Sequence, residues 1–370
     1  TGVTAGQHAA GGAGGAIHVT CDTFGGSSNG LVSVNGGDGY LNNLSGGGGG
    51  GRLAVGYRVL AAEHAVRFSA APAAVEYASA DTTNRWMHAA RMGTLWLPDT
   101  ALLSDGIANG FFRQVSLVVS GVTAWAVGSL TVGDSAFMFA DNGFRLTVSN
   151  DLVIGAGGAV GLGAYAEDGT GYVLRCGGSL TLTDGGQLFI WSGPTNAAST
   201  NAGALVAVTG DVAIAAGSCL YLRSHPTNGG APLVTVGNLA VLEQGRIDAV
   251  GGGYGWQRGP GTGRSGTFCG AGAYGGNGGS GGDPQIGGAP YGSLSAPADP
   301  GSAGGSHSAH VYASGWGGGL IRIQAAGAIT VLGAVVADGS SGLDPYGSGG
   351  SGGGIHLRCQ TFGGTSAGQI

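Results

Sequence analysis

The sequence contains no lysine. Its 14 basic residues are all arginine, and only 9% of the chain is charged. The formal net charge is −6 and no run of basic residues occurs, which argues against nucleic acid or an acidic membrane surface as a partner. No apolar stretch reaches the roughly 18 residues that a membrane-spanning helix needs. The sequence therefore argues against binding to nucleic acid, binding to an acidic membrane surface and crossing a membrane as a helix.

Cysteine is also scarce. The five cysteines form neither a dense disulfide framework nor a CxxC metal site, and their odd number leaves at least one thiol free or paired between chains. We predict buried free thiols, and we predict no metal and no other cofactor. The five residues are Cys21, Cys176, Cys219, Cys269 and Cys359.

Glycine, by contrast, is abundant, with 84 residues in a chain of 370. The glycines do not recur at every third position, which excludes a collagen triple helix. Each glycine inside an α-helix costs about 0.8–1 kcal/mol relative to alanine, which makes a large all-α protein unfavourable. Since 42% of the residues are apolar, the chain also differs from disordered, highly charged sequences.

A short motif recurs through the middle of the chain. A small polar residue is followed by Leu or Val, any residue, an aliphatic residue and, soon afterwards, glycine. The leading aliphatic residues are spaced 22, 28, 32 and 27 residues apart. The copies are residues 129–132, 151–154, 179–182, 211–214 and 238–241.

Each copy precedes a second short segment in which apolar residues alternate with small or polar ones. Such alternation predicts half-buried β-strands, and the Gly, Asn, Asp and Ser residues between them favour turns. Two or three strands per unit of 22–32 residues predict one coil of a parallel β-helix, or β-solenoid, in an all-β protein with long Gly-rich loops. The second segments are residues 136–139, 159–162, 187–190, 219–222 and 245–248.

The two ends of the chain carry nearly the same sequence. Residues 14–26 match residues 352–364 without a gap, at an offset of 338 residues, and residues 317–324 are a looser relative. A tandem array with this period explains the duplication. We therefore predict self-association through the matching strands at the two ends, with Ile17, His18, Val19, Cys21, Phe24, Ile355, His356, Leu357, Cys359 and Phe362 as its residues.

The distribution of glycine and of strand patterns divides the chain into five regions. Residues 251–319 are rich in Gly, Pro and aromatic residues, and we expect them to form long loops that pack on the flank of the coils. The other regions are N-terminal coils (1–56), a less regular insertion with strands in which residues 63–69 or 81–91 could form a short helix (57–120), regular coils (121–250) and C-terminal coils that repeat the start of the chain (320–370).

A glycine run followed by a short Ile or Leu strand occurs at both Ile17 and Ile355. This signature resembles that of glycine-rich parallel β-helix proteins of bacterial surfaces and secreted fibres, including adhesins and filaments. The resemblance covers most of the chain outside residues 57–92. It implies export to the cell surface or the extracellular space, a right-handed coil and a role in adhesion, matrix or surface structure. It does not imply a particular chemistry, because β-helices also carry polysaccharide-cleaving enzymes.

Acidic residues are the first candidates for catalysis. Carboxylates held about 5–9 Å apart can hydrolyse glycosides, and Glu167 with Asp168, or Asp151, Asp184 and Asp211 on neighbouring coils, are the residues to consider. Asp151 and Asp211 occupy the motif position that is Ser or Asn in other copies, which indicates a turn-forming role. We therefore expect no enzymatic activity.

Histidine gives a weak metal signal. His307 and His310 have a spacing compatible with metal binding, but no cysteine or carboxylate stands beside them. His18 and His356 share one position of the duplication, which indicates a common structural role.

The leading hypothesis is a secreted structural protein that forms a fibre or surface layer by end-to-end stacking of its coils. Its partner would be a further copy of itself, as head-to-tail copies or tandem repeats, because an open β-helix end exposes strand edges and core. The alternatives are a β-helix that binds or cleaves a surface polysaccharide, as a glycosidase or lyase, and an adhesin stalk.

Overall fold

The computed structural model describes residues 11–38, 47–73, 91–139, 144–163, 172–194, 196–197, 201–282, 287–308, 314–342 and 347–370. These residues form strands, turns and extended segments and contain no helix, which confirms the predicted all-β class. The short helix considered for residues 63–69 is not formed, because Glu63 and His64 end one strand and Arg67–Ser69 form another. The other segment considered for it, residues 81–91, lies, apart from Arg91, outside the described residues. No helix in the described part of the chain is long and apolar enough to cross a membrane.

The chain contains 29 strands in the described residues. The first fourteen are β1 (Ala16–Gly26), β2 (Leu31–Ser33), β3 (Arg52–His64), β4 (Arg67–Ser69), β5 (Gly93–Leu97), β6 (Gly106–Ile107), β7 (Phe112–Val119), β8 (Ala124–Val127), β9 (Leu130–Gly133), β10 (Ala136–Phe139), β11 (Arg145–Val148), β12 (Leu152–Gly155), β13 (Ala159–Leu162) and β14 (Tyr172–Cys176). The others are β15 (Leu180–Leu182), β16 (Gln187–Trp191), β17 (Asn196–Ala197), β18 (Asn201–Ala202), β19 (Ala204–Val208), β20 (Val212–Ile214), β21 (Cys219–Arg223), β22 (Pro232–Val236), β23 (Leu239–Val241), β24 (Arg246–Asp248), β25 (Ile321–Ala325), β26 (Ala328–Val331), β27 (Ala334–Val336), β28 (Ile355–Arg358) and β29 (Thr361–Gly364).

The chain divides into two compact units. The first unit comprises Thr1–Thr123 and Val132–Ala140, and the second comprises Ala124–Thr131 and Asp141–Ile370. In the first unit, β1, β3, β5, β7 and β10 follow one another as parallel neighbours, while β2 pairs with β4 and β4 with the start of β7. Leu53, Leu95 and Leu117 lie opposite one another on β3, β5 and β7 and are all buried.

Three parallel sheets make up the second unit. Sheet S1 holds β8, β11, β14, β19, β22, β25 and β28; sheet S2 holds β9, β12, β15, β20, β23, β26 and β29; sheet S3 holds β13, β16, β21, β24 and β27. From β11 onwards the chain visits S1, S2 and S3 in turn, and each strand pairs with the equivalent strand of the next coil. The hairpin of β17 and β18 interrupts this order once. The arrangement is consistent with a β-solenoid.

The five copies of the recurring motif lie in β9, β12, β15, β20 and β23, which are all strands of S2. Their leading residues are in register, since Leu152 faces Leu180, Leu180 faces Val212 and Val212 faces Leu239. Four of the five second segments form strands of S3, and the fifth, residues 136–139, is β10. Both sets of predicted strands are confirmed.

Like residues stack in columns inside the second unit. In S3, Val160 faces Leu188, which faces Leu220, which in turn faces Ile247, and all four are buried. Burying one such aliphatic side chain contributes about 1.5–3 kcal/mol, so these columns supply the core that a single coil lacks.

Glycine-rich segments outside the strands are joined by main-chain hydrogen bonds. Residues 301–305 form main-chain hydrogen bonds to five other segments, whereas a strand in a sheet has two neighbours at most. These six segments of the second unit therefore form a bundle, which we call the second glycine bundle. The five are residues 251–255, 258–264, 269–274, 314–319 and 348–354. In the first unit, residues 47–51 likewise bond to residues 11–15, 34–37, 70–73 and 91–93 (the first glycine bundle).

Space rather than backbone conformation makes glycine necessary at many positions of these bundles, with Gly251 and Gly259, at φ angles of 58° and 105°, as exceptions. A Cβ atom added to Gly350 would lie 2.0 Å from the carbonyl oxygen of Trp316, closer than any real contact. The φ angle of Gly350 lies outside the left-handed range, so the position would accept another residue if there were room. Trp316 and Tyr254 are buried in the second bundle, whereas Trp256 and Phe268 are 41% and 57% exposed.

Gly350 and Gly352, which lie on either side of Ser351, give a matched test of this packing. Gly350→Ala should lower the free energy of unfolding by about 1–3 kcal/mol, because the methyl group overlaps the main chain of Trp316. Gly352→Ala should be neutral or stabilising by about 0.4–1 kcal/mol, since its Cβ would lie 3.8 Å from the nearest atom. Urea denaturation of both variants measures the difference. Equal effects would show that the bundle does not depend on close approach.

Candidate functional site

The last coil of the second unit is open. Ile355, His356 and Leu357 lie in β28, Cys359 at the following corner and Phe362 in β29. These strands are the outermost of S1 and S2, and no described residue pairs with their outer edges. Unpaired N–H and C=O groups along such an edge can pair with a further strand.

The core columns continue into this coil and end there in solvent. Phe362 lies opposite the buried Ile329, yet it is 54% exposed. Gln369 bridges to Ala334, which brings Ile370 next to the buried Val335 column, and Ile370 is 60% exposed. Leu357 faces the buried Ile323 and is half-buried. Each of the three sheets therefore ends in at least one apolar residue that no further coil covers in the described part of the chain.

The N-terminal copy of the duplicated sequence has a different environment. Ile17, His18, Val19, Cys21 and Phe24 all lie in β1, which pairs with β3 and is the outermost strand of its sheet. Ile17 is 37% exposed, whereas Phe24 is buried. Its ring stacks on the rings of two residues that follow it in the chain, Tyr57 and Phe68.

The two copies also differ in shape. Residues 17–24 belong to one strand of 11 residues, whereas residues 355–362 are divided between β28 and β29 on two sheets. Sequence identity alone therefore did not predict the structure of each copy. The inward positions nevertheless correspond, because Val19 and Leu357 occupy equivalent places and both are half-buried.

The acidic motif residues form a ladder along the turn before S2. Asp151 accepts a hydrogen bond from the main-chain N–H of Ser179 at 2.7 Å, and Asp211 accepts one from that of Asn238 at 3.1 Å. Asn238 in turn accepts one from the N–H of Ala328 at 2.7 Å. Each side chain thus caps the equivalent turn of the next coil, as a turn-forming role requires. Glu167 and Asp168 lie outside the described residues.

The structure does not support a metal site at the two histidines that the sequence suggested. His307 is described and His310 is not. Within the described residues, no group of three or more His, Cys, Asp or Glu side chains is placed to hold a metal ion.

The outer face of S3 combines aromatic and charged side chains, which the sequence analysis did not predict. The rings of Phe189 and Tyr221 stack 4.3 Å apart at 6°, and Trp191 lies parallel to Phe189 at 5.6 Å. On the same face Asp248 accepts hydrogen bonds from Arg223 Nη1 at 3.1 Å and Arg246 Nε at 2.8 Å. Alternation within β16 and β21 is the signal that could have revealed it.

A cleft of about 580 Å³ lies in the first unit. Glu63, His64 and Arg67 contribute a carboxylate, an imidazole and a guanidinium to its lining, together with Ser104 and Phe111. His64 Nδ1 lies 2.7 Å from the carbonyl oxygen of Ala61, which fixes the ring against its own strand. These residues were not singled out from the sequence.

None of the five cysteines forms a disulfide, but only two of them are buried as predicted. Cys176 and Cys219 are buried, whereas Cys21, Cys269 and Cys359 are half-buried. Burial raises the pKa of Cys219 to about 12, and the nearby Asp248 carboxylate adds to the increase. The thiol of Cys219 therefore stays protonated and unreactive at neutral pH.

Alkylation should distinguish these thiols. At pH 8, iodoacetamide should modify Cys359 at least tenfold faster than Cys219, because Cys219 is both buried and protonated. Peptide mass spectrometry over a time course measures the two rates in one sample. Modification of Cys219 at the rate of Cys359 would contradict the burial of β21.

Comparison with known proteins gives no match for this chain. No family model, no curated protein and no solved structure is similar to it at a significant level. Its function must therefore be inferred from the open coil, the stacked columns and the surfaces of its sheets.

Proposed function

We propose that this chain is the unit of an extracellular fibre or surface layer, in which right-handed parallel β-helix coils continue from one unit to the next. The observation that carries the proposal is the open last coil, where Leu357, Phe362 and Ile370 end the core columns of three sheets. A protein that ends there in isolation would leave apolar side chains and strand edges in water.

The free energy available at this surface is considerable. Full burial of a Leu, Ile or Phe side chain contributes about 1.5–3 kcal/mol, and three such residues are only partly covered. Main-chain hydrogen bonds along β28 and β29 would add to the sum. Arg358 is the one charged residue in these two strands, so charge repulsion would offer little resistance to stacking.

Self-association of the 370-residue chain tests the proposal. The chain should form oligomers that grow with concentration in sedimentation velocity, and Cys359 should react more slowly with iodoacetamide as they form. Phe362→Asp should weaken association at least tenfold, because it places a charge in the column that the next unit must cover.

Leu294→Asp is the matched control, since Leu294 is 99% exposed and lies outside the last coil. It should associate like the unmodified chain. A chain that stays monomeric at high concentration, or an equal effect of the two substitutions, would contradict joining through this coil.

A second candidate function is carbohydrate binding, which the outer face of S3 favours. Phe189, Trp191 and Tyr221 present partly exposed rings, and the side chain of Arg246 is 42% exposed beside them. Aromatic faces and guanidinium groups are suited to pyranose rings and their carboxylates. The same face would also serve an adhesin stalk, which needs a binding module elsewhere.

Polysaccharide binding should depend on Trp191 if this candidate is right. Trp191→Ala should abolish retention on immobilised acidic polysaccharides in affinity electrophoresis. Trp125→Ala would be a poor control, because Trp125 is buried. Trp256→Ala, at an exposed tryptophan outside S3, is the suitable control and should bind normally. Absence of binding by the unmodified chain would remove the candidate.

A further inference from the structure

The two copies of the duplicated sequence pair along opposite edges. The N-terminal copy, in β1, pairs with β3, which follows it in the chain. The C-terminal copy pairs with strands that precede it, because β28 pairs with β25 and β29 with β26. Each copy thus lacks, in the described residues, the neighbour that the other copy has.

If the two copies are superimposed at their offset of 338 residues, the combined strand has a neighbour on each of its two edges. We infer that the free edge of β28 binds a strand with the sequence of β3 from a further copy of this chain, where β28 takes the place of that copy's β1, with Ile355 opposite Leu53 and Leu357 opposite Val55. The inference rests on the proposed function, because it specifies how one unit continues into the next. Its register follows from β1, in which Ile17 faces Leu53 and Val19 faces Val55.

The core columns support this register. On one side, Ile355 and Leu357 face Ile321 and Ile323, which are buried. On the other side, Leu53 and Val55 are buried members of the columns of the first unit. The junction would therefore place aliphatic residues at every level of both columns.

The glycines give independent support, because the same close contact between a glycine and the carbonyl oxygen of a glycine in the neighbouring coil occurs in three pairs of segments. A Cβ on Gly353 would lie 2.0 Å from the oxygen of Gly319, and a Cβ on Gly51 would lie 2.0 Å from that of Gly15. A Cβ on Gly93 would lie 2.0 Å from the oxygen of Gly51. Gly353 is the counterpart of Gly15 in the duplication. Gly51 of the further copy would therefore meet Gly353 as it meets Gly15.

The corner of the C-terminal copy also fits. Cys359 is the counterpart of Cys21, which faces Tyr57. Gly56 stands one position earlier in β3, where the absence of a side chain lets the strand bend with its neighbour. Gln360 replaces Asp22, so the ion pair of Asp22 with Arg58 would be lost, but both partners of that pair are solvent-exposed and contribute little.

A chain extended by part of a second copy tests the inference. The offset places Ser33 after Ile370, so the extended chain consists of residues 1–370 followed by residues 33–123. Hydrogen exchange of the amides of residues 355–358 should be at least tenfold slower in this chain than in the 370-residue chain. With Leu53→Asp and Val55→Asp in the appended segment, the slowing should be lost.

Cross-linking tests the register. With Tyr57→Cys in the appended segment, mild oxidation should give a disulfide with Cys359, identified by mass spectrometry after denaturation. Ala54→Cys in the appended segment, which would face His356, should not link to Cys359. Unchanged exchange together with no cross-link would overturn the inference, and a link through position 54 would overturn the register.

These outcomes are separate from those of the proposed function. A 370-residue chain that stays monomeric would contradict fibre formation by docking, while protection and cross-linking in the extended chain would still establish the junction. Oligomers of the 370-residue chain without protection in the extended chain would retain the fibre and exclude this partner strand.

Discussion

The structure depends on one constraint, which is that the main chain of each coil must hydrogen-bond to the coils before and after it. Parallel strands lie about 4.8 Å apart, so residues at equivalent positions stack directly. In the second unit this places Leu152, Leu180 and Val212 in one column. A shift of one residue would turn every aliphatic side chain to the outer face, so the core and the register maintain each other. The turn ladder of Asp211 and Asn238 follows from the same stacking.

The glycine bundles apply this constraint in more directions. A strand in a sheet bonds to two neighbours and keeps two free faces for side chains. A segment that bonds to four or five neighbours, such as residues 301–305, has little room for a Cβ atom in any direction. Glycine is needed there for the same reason as at the axis of collagen, where chains approach too closely for a side chain. The large aromatic side chains of the second bundle, including Trp316, supply the apolar burial that its glycines cannot.

Strand alternation and motif recurrence predicted S2 and S3, because both signals are local and each coil repeats them. S1 was harder to predict because its strands follow connections of very different length: a hairpin precedes β19 and the second glycine bundle precedes β25. The duplication identified the end residues but not their environments. Phe24 is buried and Phe362 exposed, since burial depends on the neighbouring coil rather than on the residue itself. The stack of Phe189 on Tyr221 was missed because it joins residues 32 positions apart.

A coil presents the same kind of surface to any neighbour, whether that neighbour is the previous coil, the next coil or another copy. If units join as proposed, folding and assembly use one set of contacts in this architecture. Soluble β-proteins usually protect an outer edge with charged residues, proline or a covering loop. The described strands β28 and β29 contain no proline and one charged residue, Arg358, and their register continues columns that are buried one coil earlier. An edge of this composition is suited to joining rather than to capping, and the properties that stabilise the interior also favour extension.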